Sequence, residues 1–211
     1  MDQKKRECII VAACKAFSRL GFKKASVDDI ARDAGVAKGT VYLAAESKED
    51  LLYQALLHDL RVWNAELSKL IDPRADPIEM LGTLGQAGLA SLSQRPLLKQ
   101  LFEGDLHAML PSWQGRFDEL TALGRKNVIE VLEIGKKQGR FRADLDVPET
   151  AVLLMDLQVS TMLFHNREGP DREERLLRRL SAATNLLLHG LVAPEALPPR
   201  PSKPSHSRPR N

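Results

Sequence analysis

Apolar residues recur every three or four positions along most of this chain and hardly ever alternate with polar ones. That recurrence marks helices buried along one face, whereas strict alternation would mark strands. The fold class expected is therefore all-α. A first helix is predicted over residues 4–20, where Ile10, Ala13, Phe17 and Leu20 share a face and Gly21 follows as a stop. A second starts at Ser26 and turns Val27, Ile30, Ala31 and Ala34 inward. A third is short and opens with Lys38, Gly39 and Thr40. A fourth is long, over residues 48–70, with Leu52, Ala55, Leu56 and Trp63 on its inner side.

Polar residues and prolines punctuate these stretches. Ser26 with Asp29, and Ser47 with Asp50, have capping-box spacing, with Asp in place of the more usual Glu. Asp72-Pro73 closes the fourth helix. Asp76-Pro77-Ile78-Glu79 opens the next: Asp caps, Pro takes the first helical position and Glu the third. Further helices are predicted over residues 96–106, 112–138, 148–165 and 171–189, with Gly139 and Gly190 as stops. From residue 194 prolines crowd in and apolar residues nearly vanish, so a disordered basic tail is expected over 194–211. The layout is an N-terminal three-helix head with a helix-turn-helix (1–46), a larger helical body (47–193), and the tail.

The stretch from Ser26 to Leu52 carries the chemistry. A helix-turn-helix needs a first helix that packs, a Gly-containing turn and a short second helix with small and polar residues outward. Ala34-Gly35-Val36 supplies the turn and Lys38-Gly39-Thr40 the start of the second helix. Lys38 stands where side chains reach base edges or phosphates. Gly39 lets backbone approach closely. Thr40 can bond a phosphate or offer its methyl to thymine, and Leu43 can touch a thymine methyl. Tyr42 can reach a phosphate. Lys48 starts a helix, where the N-terminus and an ammonium both favour phosphate. Ser26 is either a cap alone or a cap that also meets a phosphate.

Composition changes the picture little. Apolar residues make up 43% and charged residues 28%, as in a globular domain, and no apolar run is long enough to span a bilayer. The N-terminal run does not read as a signal peptide. Cys8 and Cys14 fall about 240° apart on one helix and cannot pair with each other, so a cytoplasmic protein with reduced thiols is expected. The tail's four basic residues, Arg200, Lys203, Arg208 and Arg210, against the single acid Glu195, account for the whole net charge of +3. Charge for nucleic acid must then come from local placement. Residues 1–50 are mildly basic, and Asp28, Asp29 and Asp33 are expected to lie away from the DNA edge.

Ser26-x-x-x-Ile30-Ala31-x-x-Ala34-Gly35-Val36-x-Lys38-Gly39-Thr40-Val41-Tyr42, followed by Ser47-Lys48-Glu49-x-Leu51 and preceded by Ala16-Phe17-x-x-x-Gly21-Phe22, resembles the head of the tetracycline-repressor (TetR) family of transcriptional regulators. A weaker match is the Gly139-Arg140-Phe141-Arg142-Ala143-Asp144-Leu145-Asp146 segment. The resemblance covers about residues 5–55. It implies a homodimer that grips a near-palindromic double-stranded DNA operator and releases it when a small-molecule effector enters the body. The family usually continues Tyr-x-Tyr-Phe, where this chain has Tyr42-Leu43-Ala44-Ala45. Ala44 removes one phosphate anchor and Ala45 a large buried side chain. A loosely fixed head or a repacked joint is expected.

In the body, Gly82, Gly85 and Gly88 share one helix, either for close helix packing or for ligand space. Phe102, His107, Met109, Trp113, Phe117, Met155, Met162 and His165 are the candidates to line an adaptable apolar cavity. The last two helices are expected to pair with their copies in a dimer, with Leu176, Leu177, Leu180, Ala183, Leu187 and Leu188 as an apolar stripe. The alternative is that this stripe packs only within one chain. The five histidines are scattered, and no metal, cofactor or catalytic motif is present. An enzyme is not expected. The expected function is a ligand-responsive regulator, most often a repressor, released by a small, largely apolar molecule. The alternative is a helical small-molecule-binding protein with weakened or lost DNA binding.

Overall fold

A computed structural model describes residues 1–165, apart from 93, 103–105, 107–109 and 111–112, together with residue 182. Helix α1 (Gln3–Lys24) leads the chain. It breaks at Gly21, whose φ of 71° and ψ of 166° lie in a region open essentially to glycine alone. The expected stop is therefore real, followed by one more helical turn. Ser26 caps α2 (Val27–Asp33): its Oγ accepts the Asp29 N–H at 3.1 Å and donates its own proton to Asp29 Oδ2 at 2.6 Å.

The turn into α3 (Lys38–Tyr42) is a Schellman motif. Val36 N–H donates to Ala31 O (2.9 Å) and Gly35 N–H to Arg32 O (3.1 Å), with Gly35 at φ 66°. A side chain at Gly35 would meet open space, so backbone conformation, not crowding, calls for glycine there.

Ser47 caps α4 (Lys48–Ser68) by accepting the Asp50 N–H at 3.0 Å. Asp76 caps α5 (Pro77–Leu92), as its spacing to Pro77 predicts, with Ile78 N–H on its Oδ1 at 2.8 Å. Then come α6 (Pro96–Phe102), α7 (Gln114–Gly124), α8 (Lys126–Lys137) and α9 (Val147–His165). The single helix expected over 112–138 is thus two, broken at Arg125. The predicted helix over 171–189, its stop at Gly190 and the tail over 194–211 lie outside the described residues.

Helix α1 packs on α4, α4 on α7, α5 on α8, and α9 on α8 and α5. The main core runs without a break from Ile9 and Phe17 in α1, through Leu52, Leu56 and Leu60 in α4, to Val131 in α8. Burying each of these side chains contributes roughly 1.5–3 kcal/mol. A smaller core gathers Leu132, Phe141, Val147 and Ala151. The Gly139–Asp146 segment organises it. Gly139 (φ 68°) closes α8 in a second Schellman turn, and Arg140 pairs with Asp76 at 2.7 Å. The Phe141 ring lies against the bare backbone of Gly135. Asp146 then caps α9.

Candidate functional site

Helices α2 and α3 present one continuous edge. Val27, Ile30, Ala31 and Val41 face the core, which turns the opposite side outward. Lys38, Gly39, Tyr42 and Leu43 stand on that outer side, with Leu43 72% exposed, and Thr40 is half-buried. An apolar side chain so exposed has no packing role within the chain. The backbone at Gly39 is open too, since a Cβ there would meet nothing within 4 Å.

The neighbouring charges differ from expectation in one respect. Asp28 does not lie away from this edge: its Oδ2 takes the Lys38 ammonium at 2.9 Å. That hydrogen bond holds the Lys38 pKa above its ordinary value. Both groups are exposed, so the pair is weak and salt-sensitive. Its hydrogen bonds to Ser26 and Arg32 lower the Asp29 pKa, and Ser26's proton is committed to that carboxylate. Lys48 is half-buried, donates to the Lys23 carbonyl at 3.3 Å and lies 4.7 Å from the Phe22 ring centroid.

Ala44 and Ala45 are buried within the main core. The joint between head and α4 is closed by α1. Phe17 packs on Phe22 at 6.1 Å, and the Cys14 thiol donates to Ala55 O at 3.3 Å. Burial and the nearby Asp59 charge push the Cys14 pKa up to about 12, so it stays a thiol.

The body holds a cavity of about 60 Å³. Helix α4 contributes Trp63 and Leu67, and α5 contributes Leu81, Leu84, Gly85 and Gly88. Gly124, Asn127 and Val128 come from the α7–α8 junction, and Leu154 and Met155 from α9. Of the three α5 glycines, Gly85 and Gly88 thus border the space. A Cβ on Gly88 would stand 3.6 Å from Trp63, ordinary contact distance.

Met155 lines this cavity, and Phe102 packs beside it, 5.9 Å from Trp63 and against Gly124. Trp113 and Phe117 do not join them. They are buried in an aromatic cluster with Tyr53, at 6.0 Å from Tyr53 to Trp113 and 5.7 Å from Trp113 to Phe117. Arg116 lies over Tyr53 and Trp113 and binds Asp50 at 3.1 Å. His107 and Met109, and the side chains of Met162 and His165, lie outside what is described.

Two buried polar residues escaped the sequence reading, Asn127 on the cavity wall and Asn64 behind it. Asn64 is 6% and Asn127 4% exposed. Asn64 Nδ2 donates to Leu123 O at 3.0 Å, which ties α4 to the end of α7. Asn127 Nδ2 donates to Asn64 O and Oδ1 at 3.0 and 3.1 Å. Their signal was present: each Asn sits in line with the buried residues of its helix, Leu60 and Leu67 for one and Val131 for the other.

A second, polar cleft of about 500 Å³ is lined by residues of α1, α4 and the α5–α6 turn. Arg95 bridges Asp59 (2.5 Å) and Glu66 (2.7 Å) along it. Among the described residues, no group of three or more His, Cys, Asp or Glu is placed to hold a metal ion. None of their helices is long and apolar enough to cross a membrane.

Comparison with known proteins bears on both regions. Residues 9–55 match the family described as bacterial regulatory proteins, tetR family. The uncharacterized HTH-type transcriptional regulator YhgD of Bacillus subtilis is 33% identical over 180 residues, 85% of this chain and 94% of that one. The HTH-type transcriptional repressor KstR2 of Mycolicibacterium smegmatis is 25% identical over 173 residues, 82% and 84% of the two chains. The fold is shared with the transcriptional regulator FadR of Bacillus subtilis, solved in complex with stearoyl-CoA. That likeness has a TM-score of 0.65 at 22% identity and covers 87% of this chain and 98% of that one.

Proposed function

This chain belongs to the tetR family of bacterial regulatory proteins, and we propose that it is a repressor whose operator is released when a small, largely apolar effector enters the body cavity. The observation that carries the DNA half is the exposed face of Lys38, Gly39, Tyr42 and Leu43 on a short helix set by a glycine turn. Such a helix enters the major groove, with its first residues at base edges. Residues 1–46 form the reading head. Thr40, Ser26 and Lys48 serve the flanking phosphates, which requires Lys48 to leave the Lys23 carbonyl.

Residues 47–193 form the effector and dimerisation body. Two copies pair through the last two helices and present their heads to the two halves of a near-palindromic site. The protein works in the cytoplasm, beside its DNA, and is not an enzyme. Relatives support the reading: KstR2 is a repressor, and FadR was solved in complex with stearoyl-CoA. The lining of Trp63, leucines, glycines and Met155 suits an apolar guest. At about 60 Å³ the space holds no more than about two waters, so the guest must spread the α5, α8 and α9 walls.

The test is binding to the DNA upstream of the chain's own gene. Affinity is expected to fall steeply with salt. Lys38→Ala should weaken binding and lower the salt slope by about one unit. Asp28→Asn should strengthen binding, because it frees the Lys38 ammonium. Absence of any salt-sensitive complex would favour a second reading, a ligand-binding helical protein with weakened or lost DNA binding. Ala44, Ala45 and the Lys38–Asp28 pair point that way.

A further inference from the structure

A buried polar atom without a partner among the described residues belongs to the wall of the body cavity. Asn127 is 96% withdrawn from solvent and borders that space. Its Nδ2 is held by two acceptors of Asn64, the backbone oxygen and Oδ1. Turning the amide round would set oxygen against oxygen, so its orientation is fixed by its neighbours. Asn127 Oδ1 is therefore turned from those two oxygens, and no described residue donates to it. Asn64, by contrast, is engaged at both side-chain atoms, through Leu123 O and Asn127.

A buried acceptor left unmatched destabilises the fold unless water or a ligand brings it a donor. Water is poorly held here. It needs two to four polar partners, and the other lining side chains are hydrocarbon, the Met155 thioether and the Trp63 indole. The indole N–H is already given to Ser91 Oγ at 2.8 Å. Among the lining side chains, Asn127 thus supplies the one amide oxygen, set in an otherwise apolar surface.

We propose that the effector presents a hydrogen-bond donor, a hydroxyl or an amide N–H, to Asn127 Oδ1. A molecule with only acceptors at that point, such as an ether, a ketone or a carboxylate, is discriminated against. The inference rests on the cavity being the effector site, and it adds the polar feature that selects among apolar guests.

Octanol and heptyl methyl ether test it. They are isomers that differ in having or lacking a donor. Binding to the full chain is followed by melting temperature. It is also followed by tryptophan fluorescence in a Trp113→Phe variant, where Trp63 is the remaining indole. Octanol is expected to bind about tenfold or more tighter than the ether. Asn127→Leu should erase the difference. Equal affinities in the unaltered chain overturn the donor rule and leave the cavity reading intact, and this holds even if Asn127→Leu does not fold. A preference that survives Asn127→Leu also overturns it, since the donor is then met elsewhere. If neither compound shifts the melting temperature or the Trp63 emission, the cavity is not the effector site and both readings fall.

Discussion

Gly135 and Phe141 meet more closely than any side chain at position 135 allows: a Cβ there would overlap the Phe141 ring. The ring is 1% exposed and anchors the smaller core, so it has no room to retreat. Gly135→Ala is expected to cost about 1–3 kcal/mol or more by overpacking, read as a lowered midpoint in urea. An unchanged midpoint would mean that the ring swings aside freely. Contacts of this kind were hidden from the sequence. Gly135 sits in mid-helix with nothing nearby in the chain to explain it, and its partner follows a turn. Ser26, Ser47 and Asp76 were legible because their partners lie two or three residues away. The Lys38–Asp28 pair was not, because the turn at Gly35 folds two helices back on each other and so erases their separation along the chain.

Among the helices, α7 has an arrangement that its own pattern did not announce. Its first turn holds Arg116, which pairs with Asp50 in the first turn of α4, and Glu119 hydrogen-bonds the Tyr53 hydroxyl. Burial and that carboxylate raise the Tyr53 pKa to about 12. Its far end supplies Leu123 O to Asn64 and Gly124 to the cavity wall. One short helix thus touches both the cavity and the start of α4. Arg116→Met keeps the stem over the rings and removes the charge, leaving Asp50 without its guanidinium. The pair is partly exposed, so the expected loss is modest, about 0.5–1 kcal/mol, seen as a melting temperature a few degrees lower. No change would make the pair a passive surface contact. The periodicity of residues 112–138 suggested one helix because the break at Arg125 keeps helical backbone angles. The break shows in the backbone, where Arg125 has a ψ of −8° and its N–H is shared between Thr121 O and Ala122 O.

At the scale of the molecule, the main core of the described residues continues across the change of character that sequence alone marks near residue 47. The recognisable quarter of the chain ends soon after, at residue 55, as expected if DNA constrains the surface of a head while an effector constrains only the lining of a body. The expected assembly is a dimer. Light scattering should return twice the mass of one chain, and a single-chain mass would remove the basis for reading a two-fold operator.

On the proposed reading, helix α4 is the lever arm between effector and head. Asn64, strapped to the cavity wall, and Lys48, beside the head, are separated by about 24 Å of rigid helix. A guest that spreads the wall and tilts α4 by about 5° at Asn64 swings its far end by about 2 Å. In a two-headed assembly the displacement occurs twice, in opposite senses. A spacing set to one turn of the double helix then no longer matches it.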